Sequence, residues 1–197
     1  MRSPGDDERD DVSAARSGDV RAFERLYQVV QPRLVRYLRT LVADEAPDVA
    51  SETWLQVARD LGTFRGGTPD FTAWVVTIGR HRALDHLRKE RRRPADPRDP
   101  FEVPEQALAP DAADLSEEAR ATRRALDLIR QLPQDQAEAV MLRVIVGLDA
   151  PSAARVLGKR PGAVRMATSR GLERLRVLVG DEAAHAPGVT LPGRPAL

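Results

Sequence analysis

The 197-residue sequence contains no cysteine, so it has neither disulfides nor thiolate-held metal centres, and it fits a reducing compartment. Aromatic residues make up only 4% while charged residues reach 31%, a mixture that suits helices better than sheets. No apolar run approaches the roughly 20 residues needed to cross a bilayer. The acidic start MRSPGDDERDD lacks the apolar core of a signal peptide, so no membrane insertion and a cytoplasmic location are expected. The net charge is only +1, which gives no global field to attract nucleic acid. His81 and His86 lie five apart, about 140° round a helix, so they do not form an i, i+4 metal pair. No third ligand accompanies them, and neither a metal nor any other cofactor is expected. Neither a Gly-x-Ser-x-Gly elbow nor a paired-carboxylate site is present, so no catalytic residue is assigned. The segment Gly62–Thr68 has glycines but no lysine, and it follows a helix rather than a strand, which separates it from a phosphate loop.

What is present is helical periodicity and a local contrast of charge. Between Arg80 and Arg93 the chain carries seven Arg or Lys against Asp85 and Glu90, a local charge of +5. Between Pro94 and Glu118 it carries eight Asp or Glu against Arg98, a local charge of −7, together with five prolines. The second stretch reads as an extended acidic linker dividing two small helical domains. The expected organisation is a disordered N-terminal arm over 1–18, a helical domain over 19–93, a linker over 94–116, a second helical domain over 117–180 and a disordered tail over 181–197. The expected fold class is all-α.

In the first domain Asp19 is placed to cap a helix carrying Ala22, Phe23, Leu26 and Val30. Pro32 suits the first turn of a new helix with Leu34, Val35, Leu38, Leu41 and Val42. A third helix is expected from about Pro47 to Leu61, then the loop GTFRGGTPD, then a helix from Thr68 to about Arg92. That last helix is apolar on two sides, which calls for cover on both. In the second domain helices are expected over about 117–131, 134–146, 150–157 and 161–179. Val140, Met141, Val144 and Ile145 are expected to point inward, and Gly180 to end the last helix.

The final two helices, joined at Gly158, make a helix-turn-helix. Val164, Thr168, Gly171, Leu175 and Leu178 share one face of the second. Gly162, Ala163, Met166, Ser169, Arg170 and Glu173 share the other, with Arg165 at its flank, and the early part of this face is small and basic. A small and basic outer face is what close approach to a duplex requires, because such a helix meets base edges with its first turns while arginines hold phosphates. The loop Phe64–Asp70, between helices bearing Trp54 and Trp74, has the size and flexibility to hold an extruded base.

Four stretches, AFERLYQVVQPRLVRYL, PDVASETWLQVARDL, FRGGTPDFTAWVVTIGRHRALDHLRKERRR and LPQDQAEAVMLRVIVGLDAPSAARVLGKRPGAVRMATSRGLERLR, come in the order and spacing of the bacterial extracytoplasmic-function (ECF) sigma factors. The resemblance covers about residues 19–93, similar to sigma region 2, and 117–179, similar to sigma region 4. It implies a transcription initiation factor that binds core RNA polymerase, recognises −10 and −35 promoter elements and promotes DNA melting. It implies core polymerase and promoter DNA as partners, commonly with an anti-sigma factor as well. By position it implies polymerase binding by Asp48 and Glu52. It implies −10 contacts by the loop residues Phe64, Arg65, Gly66, Gly67, Thr68 and Asp70, and by Arg80, His81, Arg88 and Lys89. For the −35 element it implies Arg165, Met166, Ser169 and Arg170. The sequence departs from the family pattern at His81, where asparagine is frequent, at Val49-Ala50-Ser51, and at Met166-Ala167. The rival reading is a helix-turn-helix regulator that binds DNA without polymerase, and its first domain would need a ligand or phosphorylation site that the sequence does not display.

Overall fold

The computed structural model describes residues 11–92 and 117–185, all helices and connections with no strand among them. The expected acidic linker, and the outer parts of the expected arm and tail, lie outside the described residues. A short helix, α1, spans residues 11–16. It precedes α2 (Val20–Val42), α3 (Ala46–Asp60) and α4 (Thr68–Arg92). The second half holds α5 (Glu117–Arg130), α6 (Gln134–Val140), α7 (Ala150–Leu157) and α8 (Pro161–His185).

The first departure from the sequence reading is α1, in a stretch expected to be a mobile arm. Val12 is 1% exposed and Ala15 is buried with it, so two small apolar groups among charges anchor the turn to the core. Asp11 adds an ion pair to Arg25 on α2. Asp19 caps α2 as expected, its carboxylate accepting from the backbone N–H of Arg21 at 2.9 Å and of Ala22 at 3.2 Å.

The second departure is Pro32, which lies inside one continuous α2 rather than opening a new helix. Proline removes the N–H that Gln28 would otherwise accept, a cost of about 3 kcal/mol in a helix interior. Both residues are on the exposed face, where water can serve the freed carbonyl. The buried stripe Ala22, Leu26, Val30, Leu34 and Leu38 runs straight past them. Each leucine or valine of this stripe contributes about 1.5–3 kcal/mol on burial, and together they outweigh the lost bond.

Helices α2, α3 and α4 pack mutually. Gly79 sets the closeness of α2 to α4, since a Cβ there would sit 2.8 Å from Leu34 Cδ1. An aromatic chain fills the end of this bundle nearest the loop: Phe23 against Trp54, Trp54 against Phe71, and Phe64 stacked on Trp74 at 4.8 Å.

In the second half, α6 does not continue as a regular helix to residue 146. Its last turn, Met141–Ile145, is a wider one, closed by the N–H of Val146 on the carbonyl of Met141 at 2.9 Å. The extra residue in that turn rotates Val144 outward to 55% exposure, although its spacing predicts an inward position. Asp149 caps α7 through the N–H of Ser152 at 2.7 Å, and Gly158 ends it in the left-handed region at φ 63°. Helix α8 runs past Gly180 to His185, because that glycine stays helical instead of taking a left-handed φ. Gly171 lets α8 lie against α6, where a Cβ would meet Val140 Cγ2 at 2.7 Å. The buried apolar residues of both halves form a single continuous core.

Candidate nucleic-acid interface

Helix α8 has two faces of opposite character. Val164 and Ala167 are fully buried and, with Gly171, seal it to the rest of the second half. Arg165, Met166, Ser169 and Arg170 are all exposed, Met166 at 58%. Ala167, part of the departing Met166-Ala167 pair, therefore belongs to the packing face and contributes no surface. Helix α7 supports α8 from behind. Its capping Asp149 is held below the usual carboxylate range by the hydroxyl and N–H of Ser152.

The loop before α4 is tighter than its glycines suggest. Phe64 is buried, stacked on Trp74 and edge-on to Phe71, and acts as a wedge rather than a free ring. Arg65 donates to the carbonyls of Gly62 and Phe64 at 3.1 and 3.0 Å. Gly66 takes φ 145°, and a Cβ there would lie 2.8 Å from Asp70 Cβ. Gly67 accepts the N–H of Phe71 at 2.8 Å, which fixes the first turn of α4, and Thr68 is buried at its start. Asp70 pairs with Arg155 of α7 at 2.9 Å.

Along α4, His81, Arg88 and Lys89 are exposed, Arg88 paired with Asp85 at 2.7 Å. Together with Arg82, His86 and Arg92 the last two line a cleft of about 290 Å³ whose far wall includes Glu52 of α3. Arg82 ties the two helices by donating to Gln56 Oε1 at 2.8 and 3.1 Å. Asp48 and Glu52 are both exposed on α3, Asp48 in its first turn, where a carboxylate complements the helix dipole.

Arg80 is placed differently from its neighbours. Its Nε donates to Glu138 Oε2 at 2.7 Å and its Nη2 to Oε1 at 3.4 Å. Tyr37 donates to the same Oε2 at 2.9 Å, and Gln134 to Oε1 at 3.3 Å. Glu138 is 4% exposed, so both oxygens of a buried carboxylate are fully served. Burial and the adjacent Glu138 push the Tyr37 hydroxyl well above its ordinary value of 10, while the hydrogen bond to Glu138 raises the Arg80 guanidinium. The sequence reading assigns no role to Glu138 or Tyr37. The available signal was a carboxylate inside an apolar run, flanked by Ala137, Ala139 and Val140, which calls for a buried cationic partner.

These surfaces can be set against known proteins. The family model for Sigma-70 region 2 matches residues 26–93, and that for Sigma-70, region 4 matches residues 122–175. The ECF RNA polymerase sigma factor ShbA of Streptomyces griseus is 36% identical over 179 residues, covering 85% of this chain and 92% of that protein. The chain belongs to the ECF RNA polymerase sigma factors. The ECF sigma factor BldN of Streptomyces coelicolor is 34% identical over 175 residues, spanning 87% of this sigma factor but 66% of BldN. The solved structure of the sigma factor RpoE from Bartonella quintana, in complex with the anti-sigma factor NepR, aligns with TM-score 0.62 at 24% identity. That alignment covers 82% of this chain and 98% of that one, and shows the shared fold. Members of this family are transcription initiation factors rather than enzymes. No described helix is long and apolar enough to cross a membrane.

Proposed function

We propose that this sigma factor works in the cytoplasm, bringing core RNA polymerase to its promoters through three surfaces. The exposed carboxylates Asp48 and Glu52 of α3 engage the polymerase. The loop Phe64–Asp70 with Arg80, His81, Arg88 and Lys89 takes the −10 element. Arg165, Met166, Ser169 and Arg170 take the −35 element. The observation that carries the reading is the division of α8, whose packing face is sealed while its basic and small residues stand clear of the protein. Such a helix fits the major groove, where Met166 offers an apolar contact to a thymine methyl and the arginines reach phosphates or guanine edges. An anti-sigma partner, as present in the RpoE structure, belongs to the same reading.

Run-off transcription with purified core polymerase tests it. Arg165→Ala with Arg170→Ala is expected to abolish promoter-specific transcripts while polymerase still co-purifies with the variant. Asp48→Ala with Glu52→Ala is expected to lose co-purification while helix content is retained. Unchanged transcripts from the α8 double variant would remove the −35 assignment, and unchanged polymerase affinity of the α3 double variant would remove the other.

A further inference from the structure

Across the cleft between α3 and α4, three cations face one carboxylate. Arg82 is the most firmly held of them. Its Nε and Nη2 both donate to Gln56 Oε1, and the Gln56 amide is itself oriented by donating to Asp60 Oδ2 at 3.4 Å. The guanidinium is half-buried and fixed, while its Nη1 donates to none of the described residues. Lys89 lies two helical turns further along α4 on the same face, about 10 Å away along the axis, and Arg92 one turn beyond. Both are exposed. Arg88 is neutralised by Asp85, but neither Lys89 nor Arg92 has an ion pair among the described residues, so Arg82, Lys89 and Arg92 are opposed by Glu52 alone.

We propose that this cleft binds a nucleoside diphosphate. Two phosphates supply the negative charge that Arg82, Lys89 and Arg92 lack, and a guanidinium fixed before the anion arrives loses little freedom on binding it. Glu52 on the far wall repels a bare phosphate, but it accepts hydrogen bonds from a ribose hydroxyl or a base N–H. The ligand therefore has a donor-rich end as well as an anionic one. The cleft volume of about 290 Å³ is close to the lower limit of small-molecule sites, about 300 Å³. Duplex DNA fits less well, because it carries its phosphates on a convex surface whereas Arg82 is recessed between two helices. Binding requires neither polymerase nor promoter. Its consequence rests on the assignments made above: a ligand spanning the cleft covers Glu52, placed against polymerase, and Lys89, placed on the −10 element. Nucleotide and promoter therefore compete for the chain.

Calorimetric titration of the full chain with GDP, ADP and inorganic pyrophosphate tests the site, with a chelator present so that no divalent cation neutralises the phosphates. GDP or ADP is expected to bind one per chain, about tenfold or more tighter than pyrophosphate. Lys89→Ala with Arg92→Ala is expected to weaken the nucleotide about tenfold or more, since each loses a charge-assisted contact. Glu52→Gln is expected to weaken the nucleotide and tighten pyrophosphate. Arg33→Ala with Arg36→Ala, which removes two exposed arginines of α2, is expected to change nothing and so separates the cleft from general positive charge. All these positions are exposed, and circular dichroism is expected to show unchanged helix content. Saturating GDP is expected to weaken binding of a fluorescent fork-junction DNA. No saturable nucleotide binding, pyrophosphate as tight as nucleotide, or equal losses from the two double variants would overturn the proposal. DNA binding that falls with Lys89→Ala and Arg92→Ala while no nucleotide binds would give the cleft to promoter phosphates and overturn it too. DNA affinity unchanged by saturating GDP would overturn the competition. Polymerase-dependent run-off reports separately on the sigma reading: nucleotide bound by a chain that gives no run-off upholds the site and removes that reading.

Discussion

Glycine in α8 illustrates how one substitution takes opposite signs at two positions of the same helix. At Gly171 a Cβ would lie 2.7 Å from Val140 Cγ2 and 3.3 Å from the carbonyl of Gln136, neither of which can move freely. At Gly180 the same Cβ meets nothing within 4 Å. Alanine is favoured over glycine in a helix interior by roughly 0.5–1 kcal/mol. Gly171→Ala is therefore expected to lower stability by about 1–2 kcal/mol net, after overpacking costs of about 1–3 kcal/mol, and Gly180→Ala to raise it by up to about 1 kcal/mol. Urea denaturation of the pair checks both signs. Tyr37 gives a second residue-scale prediction. Its hydroxyl is buried and donates to Glu138, with Arg80 alongside as the only opposing influence given by its neighbours, so its protonated form is favoured in the folded chain. The sign follows from proton binding: above pH 10 the unfolded tyrosine releases its proton and the folded one holds it, so stability is full below pH 10 and falls as pH rises beyond it. Ultraviolet titration should show a late tyrosinate component that disappears in Tyr37→Phe. A tyrosinate component at the ordinary position for both tyrosines would contradict the buried placement.

The helices show what could be read from the sequence and what could not. The spacing of Val164, Thr168 and Gly171 located the packing face of α8, and Asp19 and Gly158 marked boundaries because caps act locally, while the Asp149 cap of α7 was not read from the sequence. Pro32 was misread as a helix start because proline suits a first turn, and only the uninterrupted buried stripe of α2 shows that packing overrides it. The wider turn after α6 has no local signature, so the outward rotation of Val144 was not legible. Helix-scale predictions follow from the same features. Pro32→Ala restores a backbone donor on the exposed face of α2 and is expected to raise stability by about 1 kcal/mol or more, read by thermal denaturation. Asp149→Ala removes the cap of α7 and is expected to reduce amide protection in α7 and at the start of α8, measured by hydrogen exchange. Because Asp149 is held below its unfolded value, its contribution is present above about pH 4 and is lost as pH falls below that. Equal protection in variant and parent at neutral pH would mean that the cap is idle.

At the scale of the whole molecule, the sequence pattern carried the family and the two-faced helix proposed to meet DNA, since both depend on order and spacing along the chain. The site was only partly legible. Exposure of Arg165, Met166, Ser169 and Arg170 followed from periodicity. The capture of Arg80 by Glu138 and of Asp70 by Arg155 could not, because these partners are 58 and 85 residues apart and meet only through tertiary packing. The resemblance implied a −10 contact for Arg80, whereas the fold turns its guanidinium to Glu138 in the second half of its own chain. The central claim is that this chain gives core RNA polymerase its promoter choice through α8 and the −10 face. Sequencing of run-off transcripts from a fragmented genomic template, made with purified core polymerase plus the chain, tests this most directly. The account predicts new start sites, absent with core alone, that share one −10 and one −35 element, and their loss with Arg165→Ala and Arg170→Ala. Start sites identical with and without the chain, or unchanged by the α8 substitutions, would contradict it.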